Sequence, residues 1–221
     1  MNHYFNLYLS TERMYQNIMN TLTYENLHET KKHVSIQFPY NTYLCSIPLD
    51  FTQVPLHWHN DVEIIVIKKG CGIISVDTEP KVVKAGDIIL VRPGQLHSIA
   101  QHGKDRMEYE NILFQTSLLY SDDSDPCTVG YFHPYFSLEY ELPWLFNDSF
   151  SCHQELSSCI ETIDQLCSRK PHYYELSVKG HLFHFFYLLF SSQGAPVTFN
   201  RSKSLEKVKQ IVSYIELHYA E

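Results

Sequence analysis

The sequence has 221 residues, which is enough for one large domain or for one domain with an appendage. Its hydrophobic fraction of 44% and its charged fraction of 19% are those of an ordinary globular protein. The formal net charge of −8 argues against this chain gripping a phosphate backbone by itself, because such binding depends on clustered lysine and arginine.

The first predicted element is a helix over residues 11–27, where apolar side chains recur at helical spacing after Ser10 or Thr11. From about residue 33 to residue 119 the pattern changes to short alternating or β-branched runs. Many short strands joined by regular turns predict a β-sandwich or a β-barrel. We expect strands at residues 34–38, 42–47, 64–67, 73–76, 88–91, 99–100 and 109–114, with turns at residues 68–72 and 78–80.

The rest of the sequence predicts helices after an irregular, aromatic stretch that ends near residue 150. Apolar side chains from Cys152 to Cys167 recur with helical periodicity, and a second helix is predicted over residues 173–192. This second helix is apolar on most sides near its end, so it must be buried, either against the barrel or against another copy of the chain. Residues 194–203 have the composition of a linker, and residues 204–220 predict a last helix.

The cysteines and the apolar runs indicate the compartment. The six cysteines form no CxxC pair and show no zinc-type spacing. The first residues lack the basic and apolar regions of a secretory signal, so we expect reduced thiols and a cytoplasmic location. The longest apolar run, residues 182–190, is too short to span a bilayer, and we expect no membrane contact.

The residues that carry chemistry are concentrated in two short blocks. In the first block, His57 and His59 are two apart, so on a strand both side chains point to one face, and Glu63 follows them. In the second block, glycine-containing turns precede His97. Three imidazoles and a carboxylate could bind Zn, Ni, Mn or Fe and leave positions open for a ligand or water. The alternative is a metal-free pocket in which the same four side chains form a hydrogen-bonded polar patch.

Three further side chains are candidates for ligand binding. Tyr43, Cys45 and Tyr109 lie in predicted strands whose alternation could turn them toward the same pocket. For each of them, ordinary core packing is an equally good interpretation. The predicted ligand-binding set is therefore Tyr43, Cys45, His57, His59, Glu63, His97 and Tyr109, and we predict no catalytic residue.

The two blocks resemble the two motifs of the cupin family. The spacing of His57, His59, Glu63 and Gly70 is similar to the first cupin motif, and residues 86–97, GDIILVRPGQLH, are similar to the second. Proline and glycine are adjacent in this chain rather than one apart, and no asparagine follows the histidine at the expected place. The adjacent pair resembles the sensory domains of AraC-type transcriptional regulators, and the resemblance covers roughly residues 30–221.

This resemblance implies a β fold with an α appendage: a cupin-type double-stranded β-helix, or jelly-roll barrel, followed by a helical pair and a C-terminal helix. It implies that the chain senses a small-molecule effector, such as a sugar, and that it forms a homodimer. It also implies DNA binding through a C-terminal domain absent from this chain. We expect the two recognition helices to lie beyond Glu221. The implied domains are an N-terminal helical arm (1–29), a cupin effector-binding barrel (30–149), a helical dimerisation segment (150–193), and a linker with the first helix of a truncated helix-turn-helix domain (194–221).

Two other functions fit the same residues. A metal-dependent cupin enzyme, such as a dioxygenase or a sugar isomerase, would use the three histidines and Glu63 to hold a metal that acts as Lewis acid or activates oxygen. A compact enzyme of that kind has no need of the helices after the barrel. A simple sugar-binding module is the third interpretation.

Overall fold

Two antiparallel sheets followed by helices make up the computed structural model, which describes residues 24–139 and 142–192. The chain divides into two compact units, and the strands and helices below lie in the unit Glu29–Thr198. The strands are β1 (Tyr40–Ile47), β2 (Gln53–His57), β3 (Val62–Val76), β4 (Glu79–Lys84), β5 (Ile88–Val91), β6 (His97–Gln101), β7 (Met107–Phe114) and β8 (Leu145–Phe146). The helices are α1 (His133–Phe136), α2 (His153–Arg169) and α3 (Tyr174–Ser192), with a 3₁₀ turn at Thr116–Leu118 and a π-helical turn at Thr128–Phe132.

Strand β3 belongs to both sheets and joins them. The first sheet has the order β1-β7-β3-β5-β8, and in the second sheet β6 lies between β2 and β3, with β4 on the other side of β3. The N-terminal part of β3 pairs with β5 and β7, whereas its C-terminal part pairs with β4 and β6. Two antiparallel sheets that share a strand in this way close a jelly-roll barrel, and the predicted cupin-type fold is confirmed.

The turn predicted at residues 68–72 is wrong, because β3 runs through this segment without reversing. Gly70 has a φ of 75°, and the register against β7 shifts between Ile67 and Lys69. A Cβ added at Gly70 would lie 1.8 Å from the carbonyl oxygen of Arg106. The glycine therefore marks a bulge at which the strand passes from the first sheet to the second. A glycine within a strand pattern can indicate such a bulge as well as a turn.

Two more predictions near the sheets need correction. Residues 34–38 do not form a strand, because the Ser35 hydroxyl hydrogen-bonds the carbonyl oxygen and the amide of Phe38 and closes a turn. The turn predicted at residues 78–80 lies instead at Asp77 and Thr78, both with positive φ, which is the two-residue connection that suits a twisted hairpin.

The strands of the first sheet are apolar on both faces because each face covers a different core. Ile89 and Val91 of β5 lie in the core inside the barrel, whereas Ile88 and Leu90 lie in the core between the sheet and the helices. This is why the sequence of β5 reads as a continuous apolar run rather than an alternating one. The short strand β8, which the sequence did not predict, pairs with β5 in the same sheet.

The two predicted helices after residue 150 are present as α2 and α3, and they cover their own barrel. In α2 the buried side chains are Leu156, Cys159, Ile160 and Ile163, spaced as one helical face. In α3 they are Val178, Leu182, Phe185, Phe186 and Leu189. None of the helices within residues 24–139 and 142–192 combines the length and the apolar character needed to cross a bilayer.

Several predicted elements lie outside the described residues. They are the linker at residues 194–203, the helix at residues 204–220, and all but the last few residues of the helix at 11–27. The domain boundaries at residues 29, 149 and 193 therefore stay predictions.

Candidate functional site

The two motif blocks meet at one end of β2, β3 and β6. His57 ends β2 and is paired directly with His97, the first residue of β6. Glu63 is the second residue of β3, and His59 lies in the connection that precedes it. The amide of Gly94 donates a hydrogen bond of 2.9 Å to the carbonyl of His59, so the proline-glycine turn of the second block is tied to the first block. All four predicted metal ligands are brought together.

The three imidazole rings are oriented by the backbone in the same way. The Nδ1 atom of His57 lies 2.9 Å from the carbonyl of Pro55, that of His59 3.1 Å from the carbonyl of Asp61, and that of His97 3.0 Å from the carbonyl of Gln95. A carbonyl can only accept, so each Nδ1 carries the proton. With Nδ1 protonated, Nε2 is the nitrogen of each ring that faces the site, and in the neutral ring it presents the lone pair that a metal-binding histidine needs.

Glu63 is the centre of this cluster. Its Oε2 atom lies 3.1 Å from Nε2 of His59 and 2.9 Å from Nε2 of His97, and all three side chains are buried. The contact with His97 has the distance but not the alignment of a hydrogen bond, and that buried Nε2 has no hydrogen-bond partner among the described residues. A buried polar atom without a hydrogen-bond partner indicates a position at which a ligand or an ion binds.

The electrostatics of the cluster favour a neutral His57 beside an ionised carboxylate. Burial alone would raise the pKa of Glu63, but the charge of His97 and the hydrogen bond from His59 hold it far below its ordinary range. Burial, together with the charge of His97, lowers the pKa of His57. Burial alone would lower the pKa of His59, but the hydrogen bond to Glu63 outweighs it and raises that pKa.

The donor set fits a divalent transition metal. The ligand-type nitrogens of His57, His59 and His97 all lie within 4.8 Å of one another. Two ligands about 2.1 Å from one ion lie roughly 3.0–3.4 Å apart, and Oε2 of Glu63 is 2.9 Å and 3.1 Å from two of these nitrogens. Binding of a metal by His57, His59, Glu63 and His97 stays a prediction, for which this geometry leaves room.

The cluster lies beside a pocket of about 290 Å³ inside the barrel, near the lower end of the range for small-molecule sites. The three further ligand-binding candidates, Tyr43, Cys45 and Tyr109, all line it. Tyr43 and Cys45 have the same parity on β1, and Cys45 is paired directly with Tyr109 of β7, so the alternation of the strands turns all three to one face.

Sequence reasoning missed five polar residues that line this pocket: Glu29, Lys31, His33, Gln53 and Asn111. The Oε2 atom of Glu29 lies 3.0 Å from Nε2 of His33 and 3.6 Å from Nε2 of His57. The segment that holds Glu29, Lys31 and His33 has no strand or helix periodicity, so no sequence signal pointed to it. Asn111 could have been found from its parity, since it lies two residues after Tyr109 on β7.

A second depression, of about 410 Å³, lies between α2 and α3 and is lined by Glu155, Cys159, His181 and His184 among others. It is a shallow and open groove on the helical surface. The barrel pocket is the better candidate site, because it is more enclosed and is lined by His57, His59 and Glu63 of the cluster.

Comparison with known proteins supports the family resemblance of the two motif blocks. Residues 50–122 match the family model described as the AraC-like ligand binding domain. The chain is also 24% identical over 203 residues to the uncharacterized HTH-type transcriptional regulator YdeC of Bacillus subtilis (strain 168), a match that covers 89% of this chain and 67% of that protein. These matches confirm the predicted resemblance to AraC-type regulators with an N-terminal cupin domain.

Solved structures of cupin proteins are also similar to parts of the chain. A cupin protein from Bacteroides fragilis is 23% identical, with a TM-score of 0.33, over 42% of this chain and 76% of that one. A Cupin 2 conserved barrel domain protein from Salinispora arenicola CNS-205 is 17% identical, with a TM-score of 0.33, over 38% of this chain and 69% of that one.

Proposed function

We propose that this chain is the effector-sensing and dimerisation portion of an AraC-type transcriptional regulator, and that a small polar molecule such as a sugar binds in the barrel pocket. The observation that carries the proposal is the convergence of polar side chains on one enclosed pocket within a matched AraC-like ligand binding domain. The free thiol state of all six cysteines is consistent with a cytoplasmic protein.

Unpaired polar atoms in the pocket support a ligand that carries hydroxyl groups. Oδ1 of Asn111 and Nδ1 of His33 are buried and have no hydrogen-bond partner among the described residues. Buried polar groups without partners are rare in native proteins because each one costs about 1–3 kcal/mol. A polyhydroxylated molecule could donate to the asparagine oxygen and pair with the histidine nitrogen. Tyr43 and Tyr109 add aromatic surface to the same pocket.

Strand β7 offers a route from the pocket to the helices. Tyr109 and Asn111 line the pocket, whereas Ile112 of the same strand lies in the core beneath the helices. Glu110 has the same parity on the strand as Ile112, and it forms an ion pair with Lys68. The same lysine also contacts Asp164 of α2. We propose that the ligand biases the position of this strand and of the segment containing Glu29, and that the helices transmit the change to the DNA-binding domain.

The same proposal includes a dimer seam on α3. Its buried face packs on the barrel, but Leu176, Phe183 and Tyr187 are exposed at helical spacing on another side, and Tyr173 is exposed just before the helix. Leu176 is 74% exposed and Tyr187 is 62% exposed. Apolar side chains that recur along one exposed helix face are typical of an interface, and we propose that a second copy of the chain covers them.

If a metal is bound, His57, His59, His97 and Glu63 would hold it, and it would polarise a ligand oxygen as a Lewis acid. The intact three-histidine and one-carboxylate set also favours the second candidate function, a metal-dependent cupin enzyme that acts on a small polar substrate. We regard the chain as a sensor and not as an enzyme, because its matches are to a ligand-binding domain and to a regulator.

Thermal unfolding with a panel of monosaccharides, polyols and small hydroxy acids tests the proposal. At least one compound should raise the Tm of the wild-type chain, and the rise should be lost in Asn111→Ala. The control variant is His172→Ala. The side chain of His172 is exposed, and the residue lies far from the pocket residues in the sequence. A rise that survives Asn111→Ala and pocket-blocking Cys45→Phe would contradict binding in the barrel. Conversion of a bound compound to product by the metal-loaded chain, dependent on Glu63, would favour the enzyme.

A further inference from the structure

A second cluster of metal-ligand side chains lies outside the barrel pocket. Cys71 is on β3, and His102 and Asp105 are in the turn between β6 and β7. The Sγ atom of Cys71 lies 3.2 Å from Oδ2 of Asp105 and 3.9 Å from Nδ1 of His102. The same Nδ1 and Oδ2 atoms are 3.1 Å apart. A soft thiol, an imidazole and a carboxylate therefore point one atom each at a common centre.

These three separations are those of ligands around one zinc ion. For tetrahedral Zn²⁺ with bonds of about 2.3 Å to sulfur and about 2.0–2.1 Å to nitrogen and oxygen, the edges are roughly 3.6 Å for S···N, 3.6 Å for S···O and 3.4 Å for N···O. The observed values of 3.9, 3.2 and 3.1 Å differ from them by less than about half an ångström. Small side-chain rotations are enough to close the difference.

The backbone that carries the three ligands is held by hydrogen bonds. The amide of Cys71 donates to the carbonyl of Arg106, and Cys71 is also paired with Lys84 of β4. The turn is closed by the amide of Asp105, which donates to the carbonyl of His102 at 2.9 Å. The side-chain amide of Gln101 donates to the carbonyl of Asp105 at 3.0 Å. Ligands on such a scaffold need little ordering when an ion binds.

We propose that Cys71, His102 and Asp105 bind a divalent cation of borderline softness, Zn²⁺ in the first instance. The three side chains would supply three ligands and water the fourth, because His102 and Asp105 are 45% and 56% exposed and solvent reaches the centre. The thiol of Cys71 donates a hydrogen bond to Oδ2 of Asp105. On binding, the thiol proton is released to solvent and the S–H bond is replaced by a sulfur–metal bond. Nδ1 of His102, which faces the same carboxylate oxygen at 3.1 Å, gives up its proton to solvent while Nε2 takes one up, so that its lone pair and the carboxylate become ligands.

This site shares no ligand with the cluster in the barrel. His97 begins β6 and His102 follows its end, so the two clusters are about 17 Å apart along one strand. Its donor set also differs, because it includes a sulfur whereas the barrel cluster has three imidazoles and a carboxylate. A spectroscopic probe that responds only to a thiolate ligand can therefore report on this site alone.

The test is a titration of the reduced 221-residue chain with Co²⁺, which takes the place of Zn²⁺ and shows sulfur-to-cobalt charge transfer in the near ultraviolet when a thiolate binds it. We expect the band in the wild type, its loss in Cys71→Ser, and its displacement by added Zn²⁺. His102→Ala and Asp105→Asn should weaken the apparent Co²⁺ affinity by at least about tenfold. Cys45→Ser, which removes the pocket thiol, and Cys127→Ser are matched controls that should keep the band.

Two results would overturn the proposal. One is a wild-type chain with no charge-transfer band at millimolar Co²⁺. The other is a band that persists in Cys71→Ser or disappears in Cys45→Ser, which would place the thiolate ligand elsewhere. In either case the contacts of Cys71, His102 and Asp105 are only the hydrogen bonds of a turn. Circular dichroism of each variant establishes that the fold is intact, and Asp105→Asn, at an exposed turn position, provides a second variant that leaves the thiol in place.

Discussion

The Oε2 atom of Glu63 lies 2.9 Å from the Nε2 atom of His97, and both side chains are almost completely buried. Each residue comes from a different motif block, so this one contact joins the two halves of the candidate site. Because the Nδ1 atom of His97 is occupied by the carbonyl of Gln95, its Nε2 atom is the one available to a ligand or a metal. Removing either member of this pair should therefore disable the site.

Glu63→Gln and His97→Ala should each remove most of the metal from protein purified without chelator. Loss of one of four ligands leaves the others unable to hold the ion, and we expect the metal affinity to fall by at least about a hundredfold. Elemental analysis of the purified chain measures the metal content. His172→Ala, which removes an exposed histidine, should keep it. If the wild-type chain contains no metal after purification and binds none in dialysis, the metal site is contradicted. The proposal of an effector pocket is not affected by that result.

Asn111→Leu should bind the effector more weakly and yet unfold no more easily than the wild type. The Oδ1 atom of Asn111 is buried without a partner among the described residues, so its removal relieves a cost of about 1 kcal/mol or more while deleting a contact for ligand. Asn41→Leu is the matched comparison, because both polar atoms of Asn41 are hydrogen-bonded, to His33 and to Thr42. That variant should lose roughly 1–2 kcal/mol in urea unfolding. A loss of the same size in Asn111→Leu would show that the asparagine is structural.

Leu176→Glu combined with Tyr187→Glu should convert a dimer to a monomer in analytical ultracentrifugation at micromolar concentration. Both side chains are exposed on α3, and a pair of carboxylates on each copy would repel across the seam. Val82→Glu is the control, since Val82 is an exposed apolar residue of β4 in the second sheet. A wild-type chain that sediments as a monomer would refute the seam on α3.

Gly70→Ala should destabilise the fold by roughly 3 kcal/mol or more. The residue has a φ of 75°, and the new Cβ would lie 1.8 Å from the main-chain oxygen of Arg106. Gly103→Ala separates the two causes, because Gly103 has a φ of 57° but an added Cβ meets nothing within 4 Å. That variant should lose only about 1 kcal/mol in chemical denaturation. If both variants lose the same free energy of unfolding, the contact between the new Cβ and the oxygen of Arg106 is relieved at little cost in stability.

Asp164→Asn should become progressively more stable than the wild type as the pH rises from about 4 to about 7. Burial and the neighbouring carboxylate of Glu110 raise the pKa of Asp164 to about 6, whereas in the unfolded chain it is near 4. The folded protein then holds a proton that the unfolded chain has released, so this contribution to stability is complete below pH 4 and is lost as the pH rises through 6.

Urea unfolding at a series of pH values measures this effect. The difference in the free energy of unfolding between Asp164→Asn and the wild type should grow by roughly 1–2 kcal/mol across that range and then level off. Asp123→Asn, in an exposed loop, should show no such growth. A difference for Asp164→Asn that is independent of pH would contradict the raised pKa.

Much of the fold could be predicted because the signals are local. The apolar stripe of α2 and the strands of β5 and β7 follow from periodicity and residue type, and the structure contains them at nearly the predicted bounds. The histidines and Glu63 were found because a short spacing between side chains of metal-ligand type is visible without any knowledge of the fold. The parity of Tyr43 and Cys45 likewise follows from the geometry of one strand.

The residue types in the two blocks, and the segments that form strand or helix, could be read from the amino-acid sequence. The continuation of β3 through Gly70 could not be read in the same way, because a glycine suits a turn and a bulge equally well until the partner strands are known. Long-range pairing likewise decided that Glu29 and His33 line the pocket, and that Cys71 meets His102 and Asp105. Contacts between segments distant in sequence depend on how the sheets close, and no local pattern of side chains encodes that closure.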